Sequence, residues 1–276
     1  AAQIEFDYQK KAQTAELDAE QFLARHGEPP SAEFEVAGQQ DSGDIDLPRL
    51  GREKGQLSHL LSARKTVRSF SDRHKVSLEQ FSQVVHQTFM VIGTERLGSR
   101  LVLNRKTSPS GGSLHPIEAF PVVRSVEGLQ PGIYHYRCVA GKLRPLQFLK
   151  SEEVRKIATK FGQGQKHAGD AHFTVVLVAR FERSFWKYRN RANAYNVLMT
   201  DVGGLVQTCY LTCQSVGLGC FYTGAVEPIL INEVLNFDDY RVGAIGLIGC
   251  GVEESKLLES DTNATAPAAG TTYTCT

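Results

Sequence analysis

The sequence predicts an α+β fold, with strands and helices interleaved along the chain. Three observations carry this. His172 to Ala179 is a nearly unbroken apolar run rich in β-branched residues, the mark of a strand buried on both faces. Gly128-Leu129-Gln130-Pro131-Gly132 supplies turn chemistry directly before Ile133 to Tyr136, which pairs as a hairpin with Leu143 to Leu149. Between the strands lie segments whose apolar residues recur at helical spacing, the longest running from about Ala192 to Val216.

In chain order, residues 1–49 form an N-terminal helix and arm. Thr14 to Arg25 carries a thin apolar face of Leu17, Phe22 and Leu23, and Gly27-Glu28-Pro29-Pro30 ends it. Residues 50–258 form the globular domain. Gln56 to Ala63 reads as a short helix, and Arg64 to Phe70 as β-like. An extended backbone puts Arg64, Thr66 and Arg68 on one face. Two guanidinium forks and a hydroxyl suit a phosphate; the same pattern also suits a solvated edge strand. Ser77-Leu78-Glu79-Gln80 is a capping box opening a helix through Phe81, Val84, Val85 and Phe89.

Ser108 to Pro116 follows, with Gly111-Gly112 among small polar residues and prolines at both ends. Glycines let backbone approach a ligand closely. Read alone, the stretch suits a structural turn as well as a binding loop. Phe120 to Val123 is a strand in which Pro121 implies an edge or a bulge. Ser151 caps a helix through Val154, Ile157, Ala158 and Phe161, and Gly162 to Asp170 is a polar loop. Arg183 to Arg191 is cationic and aromatic: a solvated helix start, or a substrate-facing segment. Gly203-Gly204 weakens the long helix, on the order of 1 kcal/mol each against Ala, which suggests close helix contact, as across a dimer interface. Cys220 to Val226 is a strand holding Thr223-Gly224, Ile229 to Leu235 a helix, and Val242 to Gly249 a glycine-rich strand. Residues 259–276 form a flexible Thr- and Ala-rich tail.

The net charge of +1 gives no nucleic-acid footprint, and no apolar run approaches a membrane span. The N-terminus does not read as a signal peptide. The six cysteines mostly sit in apolar contexts, Cys209 and Cys213 four apart on the long helix, and the spacing yields no set of four metal ligands. No metal is expected, and a reducing, cytoplasmic compartment fits best.

Four stretches together resemble the flavin-dependent nitroreductase superfamily, and within it the SagB-type dehydrogenases, which oxidise azoline rings in ribosomally made peptides. They are Arg64-Lys65-Thr66-Val67-Arg68; Pro109 to Pro116; Gly128 to Tyr136; and Gly217-Leu218-Gly219 with Thr223-Gly224. The resemblance covers about residues 50–255. It implies a nitroreductase-like fold, a central mixed or antiparallel sheet flanked by helices, with FMN at a homodimer interface. It implies that Arg64, Thr66 and Arg68 hold the FMN phosphate. Pro109, Ser110, Gly111, Gly112, Ser113 and His115 line the ring from the other subunit, and Thr223 and Gly224 face its N5 edge. Lys187-Tyr188 is similar to the catalytic pair of azoline-oxidising members. There Lys187 takes a ring proton, its pKa lowered by burial or by cations such as Arg183, Arg189 and Arg191. Two departures stand out: Glu253-Glu254 precede Lys256 where members carry a basic phosphate ligand, and Pro121 is unusual for a central strand.

The resemblance also implies a modified precursor peptide as substrate and a cyclodehydratase as partner. Gly270 to Thr276 is built of Thr and Cys, the residues cyclodehydration converts; it reads either as a core peptide joined to its oxidase or as a plain tail. The competing functions are an NAD(P)H-dependent FMN reductase of nitro, quinone or dehydroamino-acid substrates, and a structural subunit of a cyclodehydratase complex.

Overall fold

The computed structural model describes residues 55–254 except Arg100, 190–192 and 238–240, together with the isolated positions 24, 27 and 47. The chain divides into two compact units, Ala1–Lys54 and Gly55–Thr276, and the elements below belong to the second. The expected helix at 14–25, the arm, Arg191, Lys256 and the 259–276 tail lie outside the described residues.

Six strands form one antiparallel sheet: β3 (Ile117–Val123), β4 (Gly132–Arg137), β5 (Lys142–Phe148), β6 (Phe173–Arg180), β7 (Gly219–Thr223) and β8 (Val242–Gly251), in the order β5-β4-β3-β6-β8-β7. Strand β6 lies centrally and is buried on both faces. Phe173, Val175, Leu177 and Ala179 meet one core cluster, Val176 and Val178 the other. That period of two is why the strand reads as a continuous apolar run. One face is covered by α2 (Leu78–Phe89) and α6 (Ala194–Ser215), the opposite face by α3 (Ser151–Phe161) and α7 (Pro228–Val234). A separate hairpin joins β1 (Gly93–Leu97) and β2 (Leu101–Arg105). Among the described residues the other α-helices are α1 (Gln56–Ala63), α4 (Lys166–Asp170) and α5 (Phe181–Tyr188).

The capping box forms as read: Ser77 Oγ accepts from Gln80 N–H and Gln80 Oε1 from Ser77 N–H, each at 3.1 Å. Other expectations change. Ser151 is not a cap, because its hydroxyl donates to the Arg124 carbonyl at 3.1 Å; Lys150 occupies that position, its N–H bonded to Glu153 at 2.7 Å. The polar loop at 162–170 contains α4. Arg64 to Phe70 is extended but makes no strand, touching the sheet through Val67 N–H to Cys220 O and a single bridge from Phe70 to Glu253. Pro121 sits in an interior strand. It pairs in register with Val175 on β6, while the ladder to β4 skips Phe120 and Pro121, so the missing N–H falls where no partner is registered. The accompanying irregularity lies one strand away, at Ile133/Tyr134.

The cysteines depart furthest from expectation. Cys209, Cys213, Cys220 and Cys250, spread over 42 residues, converge in the core with all four sulfurs within 4.8 Å of one another. Sequence spacing could not reveal this, because the sheet register is what brings Cys220 opposite Cys250.

Candidate active site

The glycine stretch is a compact turn tied to α6. Ser110 Oγ donates to Asp201 Oδ2 at 2.5 Å, and Gly111 N–H to Asp201 Oδ1 at 2.9 Å. His115 N–H donates to Ser110 Oγ at 2.9 Å, and Ser113 N–H to the Ser110 carbonyl at 2.9 Å. This network holds Gly112 at φ 65°, but also Ser113 at 55° and His115 at 46°. Left-handed backbone at a residue with a Cβ costs about 1–3 kcal/mol and persists only where the surroundings enforce it. Asp201 does the enforcing. It is buried on the apolar stripe of α6, three residues after Leu198 and four before Leu205. A carboxylate on a buried helical face was the available signal for it, and the sequence reading passed over it.

Helix α5 leaves β6 without a connecting loop and runs alongside this turn. Arg183 donates through Nε and Nη2 to the Leu114 carbonyl at 2.9 and 2.7 Å, fastening α5 to the loop. Burial lowers the Arg183 pKa. One turn on, Lys187 and Tyr188 lie against the two glycines. A Cβ on Gly112 would fall 2.3 Å from Lys187 Nζ; a Cβ on Gly111 would fall 3.2 Å from the Tyr188 hydroxyl and 2.3 Å from Val197. Lys187 Nζ also stands 5.8 Å from the centre of the Tyr188 ring. The absence of side chains at 111 and 112 is therefore what admits this pair.

Cavities open on both sides. One of about 600 Å³ is lined by Leu101, Leu103, Ser113, Arg183 and Trp186. A neighbour of about 340 Å³ is bounded by Leu97, Gly112, Lys187 and Arg189. On the far side, about 450 Å³ lies between Pro109, Gly111, Tyr188 and Asn196. The β1–β2 hairpin, which the sequence reading did not single out, forms an apolar wall with Trp186 of the cationic, aromatic segment. The sequence reading also missed Lys106, buried beside the loop with its pKa lowered by burial. The His115 pKa is lowered too, by burial first and the Lys106 charge second.

The predicted phosphate residues gather elsewhere, nine residues further along α6. Arg64 stacks on the Tyr210 ring, 5.3 Å from its centre, and Thr66 Oγ1 lies 3.2 Å from the Tyr210 hydroxyl. That hydroxyl accepts from Tyr222 N–H at 3.1 Å, which joins the group to Thr223 and Gly224. Thr223 Oγ1 accepts from Ala225 N–H at 3.1 Å. Arg68 acts on His167, whose pKa falls to about 4 through burial first and the Arg68 charge second. Lys65 points away to Glu253 at 2.6 Å, as alternation requires. Cationic forks and hydroxyls at an accessible edge fit a phosphate dianion. The structure thus brings Arg64, Thr66 and the Tyr222 to Gly224 segment together at Tyr210, with Arg68 beside His167, and the loop with Lys187-Tyr188 together at Asp201. At 1.5 Å per residue the two are about 14 Å apart along one helix.

A family model, the Nitroreductase family, matches residues 61–251. The chain belongs to that family. Trifolitoxin-processing protein TfxB of Rhizobium leguminosarum bv. trifolii is 30% identical over 152 residues, covering 51% of this chain and 38% of TfxB. Microcin B17-processing protein McbC of Escherichia coli is 25% identical over 181 residues, covering 64% of this chain and 62% of McbC. The chain thus spans less than two thirds of either relative. Among solved structures, a chain of the E. coli microcin synthetase McbBCD complex with truncated pro-MccB17 has a similar fold. Its TM-score is 0.59 at 23% identity, covering 90% of this chain and 91% of that one.

Proposed function

We propose that this protein is an FMN-dependent dehydrogenase that oxidises azoline rings of a ribosomally made, modified peptide to azoles. The observation that carries the reading is the packing of Lys187 and Tyr188 onto Gly111 and Gly112. The similarity to the trifolitoxin-processing protein TfxB and the microcin B17-processing protein McbC supports the substrate class.

When bound, FMN supplies the two-electron acceptor. Everything else falls to the chain. Arg64, Thr66 and Arg68 would hold the phosphate, with Tyr210 bracing the first two and Lys256 a further candidate from beyond the described residues. Pro109 to Ser113 and His115 would line the ring, and Thr223 and Gly224 would offer it backbone contacts. Turning an azoline into an azole removes a ring Cα proton together with a hydride equivalent. Lys187 Nζ takes the proton, and the Tyr188 hydroxyl beside it orients the ring. Apolar Leu101, Leu103 and Trp186 exclude water from the peptide's path. Arg183 is occupied by the Leu114 carbonyl, so it positions α5 and leaves Arg189, which lines the same cavity as Lys187, as the cation on that wall.

Lys187 is exposed in the single chain. A base that must lose its proton near neutrality needs a drier setting. A second copy supplies it: the reading is a homodimer in which the Tyr210 cluster of one chain faces the glycine loop of the other. A cyclodehydratase delivers the azoline, and the setting is cytoplasmic.

The test separates this from a nicotinamide-driven reductase, the activity the family name suggests. Lys187→Ala and Tyr188→Phe should each abolish azole formation while flavin content and nicotinamide-driven reduction of a nitroaromatic persist. Loss of both activities together, or of neither, would overturn the assignment.

A further inference from the structure

We infer that the four core cysteines form a mononuclear, tetrahedral tetrathiolate site for a thiophilic divalent cation, zinc by its chemistry. The site is distinct from the flavin machinery. Cys209 and Cys213 are one helical turn apart and share a face of α6. Cys220 and Cys250 are directly paired across β7 and β8. All four are at most 2% exposed, and their sulfurs lie within 4.8 Å of one another, Cys213 and Cys250 at 3.5 Å.

The spacing decides which ion fits. A zinc–sulfur bond of about 2.3 Å sets tetrahedral sulfur–sulfur edges of about 3.8 Å. Four sulfurs confined within 4.8 Å bracket that value. An iron–sulfur cube needs its ligands spread around four irons, so sulfurs this close leave it no room. No other group of three or more potential ligands gathers among the described residues.

A second observation points the same way. Thr88 on α2 is fully buried, and its hydroxyl has no hydrogen-bond partner, yet it lies within interaction range of the Cys209 sulfur. A buried hydroxyl without a partner costs about 1–3 kcal/mol. A metal-bound thiolate is the acceptor it lacks, and such donors offset the negative charge of a tetrathiolate. Metal binding would release the thiol protons and tie α6 to the β7–β8 edge. Tyr210 lies between two of the ligands, so the ion would also steady the hydroxyl that receives Tyr222 N–H.

The test uses the full chain, purified under reducing conditions without chelator and supplied with zinc. Elemental analysis should find about one zinc per chain, with an absorption-edge spectrum of four sulfurs at about 2.3 Å. Cys220→Ser should lower bound zinc at least about tenfold, while Cys138→Ser, outside the cluster, keeps it. Should Cys220→Ser not fold, wild-type thiol labelling decides: four cysteines should resist alkylation until a chelator removes the ion. A metal-free protein after zinc supply, a shell containing nitrogen or oxygen, or a disulfide among these four residues would each overturn the inference.

Discussion

Removing Asp201 tests whether one buried carboxylate shapes the glycine loop at 110–115. It accepts from Ser110 Oγ at 2.5 Å and Gly111 N–H at 2.9 Å. A hydrogen bond to a charged acceptor contributes about 1.5–3 kcal/mol, so Asp201→Ala should cost about 3–6 kcal/mol. For a domain of this size that lowers the melting temperature by on the order of 10 °C. Asp201→Asn keeps one acceptor for Gly111 N–H and should cost roughly half as much. The damage should also be local. Ser113 and His115 hold left-handed backbone only while Ser110 is fixed, so amide exchange across 110–115 should accelerate more than in β6. Thermal unfolding and residue-resolved hydrogen exchange measure both. Unchanged exchange at 110–115 in Asp201→Ala, with melting within a few degrees of wild type, would refute the loop-anchoring argument.

Gly112→Ala should impair azole formation far more than stability, since φ 65° costs it about 1 kcal/mol and its methyl displaces the flexible end of Lys187; turnover set beside thermal melting checks this. Tyr210→Phe should weaken FMN affinity by about fivefold, for about 1 kcal/mol of lost hydroxyl bonding to Thr66 and Tyr222; titration of the flavin-free protein with FMN measures it. Acid stability should turn on His172 and His167, both pushed down to about 4 by burial. Their unfolded forms protonate near the ordinary 6.5, so stability is complete above that pH and is lost as pH falls from there toward about 4. Denaturant midpoints across that window should slope, and His172→Asn should flatten the slope. Asp72 acts lower down: the hydrogen bond from Arg155 holds its pKa below the usual carboxylate value of 3.8, so its contribution is complete above that value and is lost as pH falls from there through the lowered one.

What the sequence made legible was whatever a short window encodes. The Ser77–Gln80 box, the Gly128–Gly132 turn and the continuous apolar run of β6 are local patterns, and each forms as read. The hairpin of β1 and β2 was not legible, because its residues are mostly exposed and carry no apolar alternation. Ser151 has cap chemistry, but a tertiary acceptor, the Arg124 carbonyl, claims its hydroxyl. The site splits along the same line. Arg64 with Thr66, and Lys187 with Tyr188, were visible as neighbours in sequence. Asp201 and Tyr210 act across the fold, as does the convergence of Cys209 and Cys213 with Cys220 and Cys250, and no local window contains both partners.

The central claim is most directly tested by the mass of an azoline-bearing peptide incubated with the flavin-loaded protein in air, with no nicotinamide supplied. The account predicts loss of two hydrogens per ring with the wild type and none with Lys187→Ala. A peptide of unchanged mass, from a preparation that still reduces a nitroaromatic with a nicotinamide donor, would contradict it.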